Sequence, residues 1–221
     1  IWARHMKEKY GAKNPRSWLC RFHVQTAGCS LTAQQPEVNI VRTALEALAG
    51  VLGGCQSLHT NSMDEALALP SDKAVEIALR TQQVIAFESG VANVADPLGG
   101  SYFVEKLTKD IEEDAEKYFA QIEAMGGMVK AIERGFPQQE ITRSAYEYQR
   151  ALSEQRKTMV GVTDFVNEDE ELVIPILEID DSVETDQLAS LKKIKETRDN
   201  VAVRDNLDKL QKAAATNENL T

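Results

Sequence analysis

The sequence predicts an α/β fold with parallel strands, on three observations. Residues 21–28 (R-F-H-V-Q-T-A-G) and 54–61 (G-C-Q-S-L-H-T-N) each read as a short strand. Each is followed by residues at helical spacing, so the strand–loop–helix order that builds parallel sheets repeats. The strand faces are also unequal, with Phe22 and Val24 on one side and Arg21, His23 and Gln25 on the other. Parallel strands are normally covered on both faces. A face of Arg, His and Gln therefore needs polar partners, and a polar ligand threaded past the strand is one way to supply them.

The elements follow in order. Residues 1–10 read as the end of a helix, with a turn over residues 11–15. The first strand spans Trp18–Gln25. Thr32 and Gln35 stand at capping-box spacing before Pro36, which predicts a helix start there. Val38, Val41, Leu45, Leu48 and Leu52 give that helix one apolar stripe, expected to be core. Gly53 and Gly54 end it, and the second strand runs over Gln56–Thr60. Ser62 opens a short helix that stops before Pro70, and Ser71 caps a longer one reaching Gly90. Val91–Ala95 reads as a third strand, closed by the turn at 96–100. Val104, Leu107, Ile111, Ala115, Tyr118, Ile122 and Met125 then mark a strongly amphipathic helix.

Three such units match the length of the last three-eighths of a TIM (β/α)8 barrel. From Gly126 the character changes. A short helix over 126–134 is broken at Gly135 and Pro137, and Gln138–Lys157 forms another. Val160–Val166 and Leu172–Ile179 read as extended segments flanking the acidic run 167–171. Thr185–Ala215 reads as one long helix, and Thr216–Thr221 carries no fold signal. The predicted organisation is residues 1–125 as the last three βα units of a barrel and residues 126–221 as a mostly helical linker packing outside it. Three units leave open strand edges. The missing strands are expected from another chain, or from a longer polypeptide of which this is a fragment.

Composition narrows the function. A formal net charge of −10 at pH 7 with no basic stripe argues against a nucleic-acid partner. No run approaches the roughly 20 apolar residues that span a bilayer, so no membrane association is expected. There is no signal-peptide pattern, and Ile1 is not an initiator methionine, so the chain is expected to start inside something longer or to be processed. Cys20, Cys29 and Cys55 form no C-x-x-C pair and read as reduced thiols in the cytoplasm. His5, His23 and His59 lack metal-ligand spacing, so no metal site is predicted.

The segments 21–28, N-I-V-R-T-A at 39–44, G-G-C-Q-S-L-H-T-N-S-M-D-E-A at 53–66, V-A-D-P-L-G-G-S-Y at 94–102 and M-G-G-M at 125–128 resemble, in one collinear register, the large subunit of the methylmalonyl-CoA mutase family. The likeness runs from residue 1 to at least Arg204. It implies a substrate-binding barrel of an adenosylcobalamin-dependent acyl-CoA mutase, with the pantetheine arm threading the barrel. In that family the cofactor supplies a radical that abstracts hydrogen, after which the thioester group migrates to the neighbouring carbon. The family's N-terminal strands and its cobalamin domain have no counterpart here, and the D-x-H-x-x-G signature of the axial histidine does not occur. The resemblance therefore assigns no catalytic residue to this chain and implies adenosylcobalamin bound mainly by a domain outside it. The implied partners are an acyl-CoA substrate, the missing barrel half, and a cobalamin-binding domain or subunit, with an oligomer expected.

Residue by residue, the resemblance places Gly28, Glu65 and Ala68 against the corrin, and Gln25 and Asn61 near the adenosyl group. It places Gln56 and Ser57 near the pantetheine arm and His23 in the bore. Each has a plainer reading. Glu65 completes a capping box with Ser62, Gly28 is a turn glycine, Asn61 is a turn residue, and His23 is a satisfied core histidine. Arg21 reads as a structural anchor, for instance to Asp96, and the 96–101 segment as a structural turn, since no P-loop lysine follows. The implied function is isomerisation of (R)-methylmalonyl-CoA to succinyl-CoA, by a chain inactive alone. The alternatives are isobutyryl-, ethylmalonyl- or 2-hydroxyisobutyryl-CoA as substrate, or a non-catalytic assembly subunit.

Overall fold

The computed structural model describes residues 1–169, 174–216 and 218. The chain divides into two units, Ile1–Leu177 and Glu178–Thr221. In the first, two short strands pair in parallel, β1 (His23–Gln25) and β2 (Ser57–His59), with His23 opposite Ser57, Val24 opposite Leu58 and Gln25 opposite His59. A helix follows each strand: α2 (Val38–Leu52) after β1 and α3 (Asp72–Phe87) after β2. That is the βαβα order expected of an α/β chain, although helices dominate. The N-terminal turn α1 (Trp2–Arg4) runs into a π turn at His5–Lys9. Three helices complete the unit: α4 (Tyr102–Ala124), α5 (Met128–Glu133) and α6 (Phe136–Ser153).

The strands are anchored to α2 by a close approach. A Cβ at Gly50 would lie 2.9 Å from Val24 Cγ1 and 3.7 Å from Leu58 Cδ1, so only a glycine lets the sheet rest on the helix. Val24 and Leu58 thus face α2. Their neighbours His23, Gln25, Ser57 and His59 point to the opposite side and are exposed. Ser71 caps α3, its Oγ accepting from Ala74 N at 3.3 Å, and Ser101 caps α4 through Val104 N. Thr60 Oγ1 donates to Ala78 O at 2.7 Å, and Gln82 Nε2 donates to Leu58 O and Thr60 Oγ1, tying the end of β2 to α3.

Several expectations change. The first strand shrinks to His23–Gln25, because Pro15–Trp18 takes a 3-10 turn capped by Asn14. The third strand at 91–95 does not form. Gly90, with φ of 74°, starts a 3-10 turn at Val91–Asn93, and among the described residues no strand lies beside it to pair. The turn at 96–100 is held by Gly99 N donating to Asp96 O within it and by Gly100 N donating to Glu105 Oε1 in the helix that follows. Arg21 forms no ion pair with Asp96 or with any other described residue. The Thr32–Gln35 box is also unmade. Thr32 Oγ1 donates to Gln34 O, and Gln35 takes a left-handed φ of 46°, so α2 begins at Val38 without a side-chain cap. Residues 62–69 form turns rather than a helix, and Ser62 Oγ is buried without a partner. The stretch Val160–Val166 folds into a turn closed by a Val160–Asp164 bridge. Part of the expected segment Leu172–Ile179 lies outside the described residues.

The apolar stripe of α2 is the largest correction. Val41 and Leu45 are 58% and 64% exposed, while the buried face is Asn39, Thr43 and Ala47. Helical periodicity identified the helix correctly and its packed face wrongly.

At the N-terminus, Arg4 donates to Glu112 and Glu116 of α4 at 2.6 and 2.8 Å, and His5 Nε2 lies 3.0 Å from Glu116 Oε1. These bonds hold both carboxyls below the usual glutamate range, Arg4 being the first cause for each. The second unit holds α7 (Ser182–Thr197) and α8 (Asn200–Ala214). The single long helix expected there is interrupted at Arg198, whose backbone is extended, and Asp199 caps α8 through Val201 N and Ala202 N. Among the described residues no helix is long and apolar enough to cross a membrane.

Candidate functional site

The site begins where the parallel strands end. Both β1 and β2 run to the same side, and the loops leaving their carboxyl ends carry Thr26–Gly28 and Thr60–Glu65. In α/β folds this is the edge where ligands bind. Thr26 N donates to His59 O at 3.2 Å, extending the strand register by one step. Thr26 Oγ1 then donates to Asn61 Oδ1 and accepts from Asn61 N at 2.9 Å. The first loop is thereby fastened to the second through two nearly buried residues.

This fastening brings three of the named residues together. A Cβ at Gly28 would stand 3.2 Å from Asn61 Nδ2 and 3.3 Å from Glu65 Oε1. Gly28, Asn61 and Glu65 therefore form one closely packed group, the Gly28 cradle, which a side chain at position 28 would crowd. Glu65 is exposed, and its carboxylate does not cap Ser62; only its backbone N–H reaches Ser62 O, at 3.2 Å. Ala68 lies one turn on, its N–H donating to Asp64 O. Gln25 stands on the exposed strand face, paired in register with His59.

On the same face, His23 Nδ1 lies 2.8 Å from Ser57 Oγ across the strand pair. His23 Nε2 has no partner among the described residues and opens onto the exposed side. His23 is therefore not a core histidine. Gln56 behaves differently. Its Oε1 accepts from Phe22 N at 2.8 Å and its Nε2 donates to Gly54 O, so both ends of the amide hold backbone at the entry to the strands. It sits at the opposite end from the Gly28 cradle.

Sequence reasoning missed the residues behind the cleft. Asn39, wholly buried, donates from Nδ2 to Thr32 O and Met63 O and accepts at Oδ1 from Thr32 N and Arg42 Nη1. Glu46 Oε2 accepts from Ala27 N at 2.7 Å, beside Gly28. Arg42 Nη2 reaches Val160 O at 2.7 Å. The signal was present as polar residues at i, i+3 and i+7 on the side of α2 away from its apolar stripe.

Comparison with known proteins places this chain in a family. The sequence profile described as methylmalonyl-CoA mutase matches residues 1–221. The chain is 46% identical over 209 residues to the 2-hydroxyisobutanoyl-CoA mutase large subunit of Aquincola tertiaricarbonis, covering 95% of this chain and 37% of that protein. It is 46% identical over 219 residues to the mitochondrial methylmalonyl-CoA mutase of Mus musculus, covering 99% and 29%. It is 45% identical over 212 residues to the methylmalonyl-CoA mutase of Escherichia coli (strain K12), covering 96% and 30%. The chain thus spans about a third of the length of these relatives, and it belongs to the methylmalonyl-CoA mutase family.

Proposed function

We propose that this chain is part of an adenosylcobalamin-dependent acyl-CoA mutase, converting (R)-methylmalonyl-CoA to succinyl-CoA, and that it is inactive without the rest of the barrel and a cobalamin-binding domain or subunit. In this reading residues 1–125 contribute the last three βα units of a TIM barrel, the third completed when neighbouring strands are supplied. Residues 126–221 form the helical linker that follows. The observation that carries the reading is the two-sided sheet. Val24 and Leu58 rest on α2, while His23, Gln25, Ser57 and His59 form a polar face that ends at the Gly28 cradle.

The residues present suit the cofactor. Gly28 lets Asn61 and Glu65 close up beside it, since a Cβ there would intrude on both, and this small polar group is what a corrin edge would meet. Asn61 Nδ2 has no partner among the described residues and is available as a donor. Gly28, Glu65 and Ala68 would border the corrin, with Gln25 and Asn61 toward the adenosyl group. Bound adenosylcobalamin supplies the radical chemistry. The chain's own work is to shape the bore and orient the acyl-CoA. Ser57 fixes the His23 ring, so that Nε2 is offered to a polar group of the substrate, and Gln56 braces the strands beside the pantetheine path. The three thiols are free, which supports a reducing compartment such as the cytoplasm.

The test is reconstitution. The chain is mixed with adenosylcobalamin, a cobalamin-domain protein and a polypeptide supplying the missing strands, and conversion of methylmalonyl-CoA is followed with each component omitted in turn. Turnover that requires this chain is the expected result. Relatives named for methylmalonyl-CoA and for 2-hydroxyisobutanoyl-CoA match equally well, so the same assay is run with 2-hydroxyisobutyryl-, isobutyryl- and ethylmalonyl-CoA. A stable complex that turns over none of them overturns the enzymatic reading in favour of an assembly subunit.

A further inference from the structure

We propose that Asn39, supported by Arg42, is the positioning residue of the cofactor-facing cleft: it holds the Thr26–Thr32 loop and the Asn61–Glu65 loop at one fixed spacing. The proposal rests on the cofactor reading of that cleft.

Asn39 is wholly buried and uses its full hydrogen-bonding capacity, two donors and two acceptors. Nδ2 donates to Thr32 O at 2.8 Å and to Met63 O at 2.9 Å, one carbonyl from each loop. Oδ1 accepts from Thr32 N at 3.0 Å and Arg42 Nη1 at 2.7 Å. The orientation of the amide is fixed, because a backbone N–H can only donate. A single rigid side chain therefore bridges the two loops from behind, four residues past Gly28 on one side and two before Glu65 on the other. Arg42 locks it in place, its Nη1 also reaching Thr32 Oγ1 at 2.9 Å and its Nη2 reaching Val160 O. The Thr26–Asn61 bonds fasten the loops at the front. Front and back fastenings together hold the two loops at one spacing.

His23 and Ser57 lie on the strands, which are set by the ladder and by Gly50, not by Asn39. Loss of the bridge should therefore act on the cofactor and spare the substrate. Asn39→Asp keeps both acceptors beside Arg42 and removes both donors, leaving the carbonyls of Thr32 and Met63 unpaired. In the assembled mutase containing this chain, adenosylcobalamin affinity is read by titration of its absorption spectrum. Acyl-CoA KM and hydrogen exchange of residues 26–32 and 61–66 are read beside it. The expected result is a loss of affinity of about tenfold or more, roughly 1.4 kcal/mol for each factor of ten. Exchange should be faster in both loops together, and KM should change less than about twofold. Thr43→Val, on the same buried face but without hydrogen-bond partners, should alter none of these.

Unchanged affinity in Asn39→Asp, while Glu65→Ala weakens binding, overturns the positioning role and leaves the cofactor reading standing. Unchanged affinity in both variants overturns the cofactor reading and this inference with it. An equal loss in affinity and KM, with Thr43→Val behaving alike, reduces Asn39 to a general packing residue and also overturns the proposal. Should Asn39→Asp fail to fold, Arg42→Lys decides: a smaller loss of affinity with faster exchange in both loops supports the bridge, and wild-type behaviour overturns it.

Discussion

Helix α2 buries Asn39, Thr43 and Ala47 and leaves Val41 and Leu45 in the open, whereas α7 and α8 bury none of their residues and expose Leu188, Leu191, Ile194 and Leu207. Both regions carry an apolar row at helical spacing. In α2 that row does not set the packing. The helix is placed by directional bonds from Asn39, Arg42 and Glu46 and by the bare backbone of Gly50. Hydrogen bonds specify distance and angle, and apolar contact specifies neither so sharply. A region built to present loops at a fixed spacing uses the first kind of contact. Among the described residues, the hydrogen bonds and ion pairs of the helical tail are local ones.

The comparison breaks most decisively at Asn39. Asn39→Leu fills similar volume but orphans Thr32 N, Thr32 O and Met63 O. At about 1–3 kcal/mol for each buried unpaired group, the expected loss is roughly 3 kcal/mol or more. Urea unfolding of the polypeptide carrying this chain measures it, and a loss below about 1 kcal/mol would mean that the bonds do not place α2. Gly50→Ala follows, pushing a Cβ to within 2.9 Å of Val24 Cγ1. Such overpacking costs about 1–3 kcal/mol, and the same titration curves report it. Ser71→Ala should cost about 1 kcal/mol through the lost α3 cap.

A pH experiment sharpens the contrast at the N-terminus. Arg4 depresses the pKa of Glu112 and of Glu116, so their contribution is fully present above the ordinary glutamate value and is lost as pH falls through the lowered ones. The protection of amides in residues 2–9, taken relative to their intrinsic exchange rates at each pH, should fall once the pH drops below the ordinary glutamate value, with the α2 region changing less. The smallest effect is expected on the open apolar row: Leu45→Gln should shift stability by less than about 0.5 kcal/mol. A loss several times larger would show that Leu45 is covered by another part of the full protein.

The sequence made the strand–helix order, the Ser71 cap and the polar face of residues 21–25 legible, because each is set by neighbours a few residues apart. The family resemblance singled out Gly28, Asn61 and Glu65, which lie side by side in the structure. Sequence reading failed where distant contacts decide. Val91–Ala95 has the composition of a strand but needs a strand beside it, and none is present among the described residues. Ser62 and Glu65 have capping-box spacing, yet the loop is ruled by Asp64, whose Oδ2 accepts from Ser71 N at 2.9 Å. In the sequence Asn39 stands only within the motif at 39–44 and is given no role, since its four hydrogen bonds reach residues 3 to 24 positions away.

One contact has a consequence in time. Arg42 closes on Val160 across 118 residues of chain, and Gln35 Nε2 donates to Phe165 O across 130. At roughly 5–20 residues per second, synthesis of the intervening chain takes on the order of 6–24 s. Through that interval the residues of α2 and of both strands have been made, but the guanidinium that steadies Asn39 lacks its last partner. The cleft is thus finished late in translation, after the helices α3 to α6 have emerged, and a chain stalled before residue 160 carries the named site residues without the clamp that closes behind them.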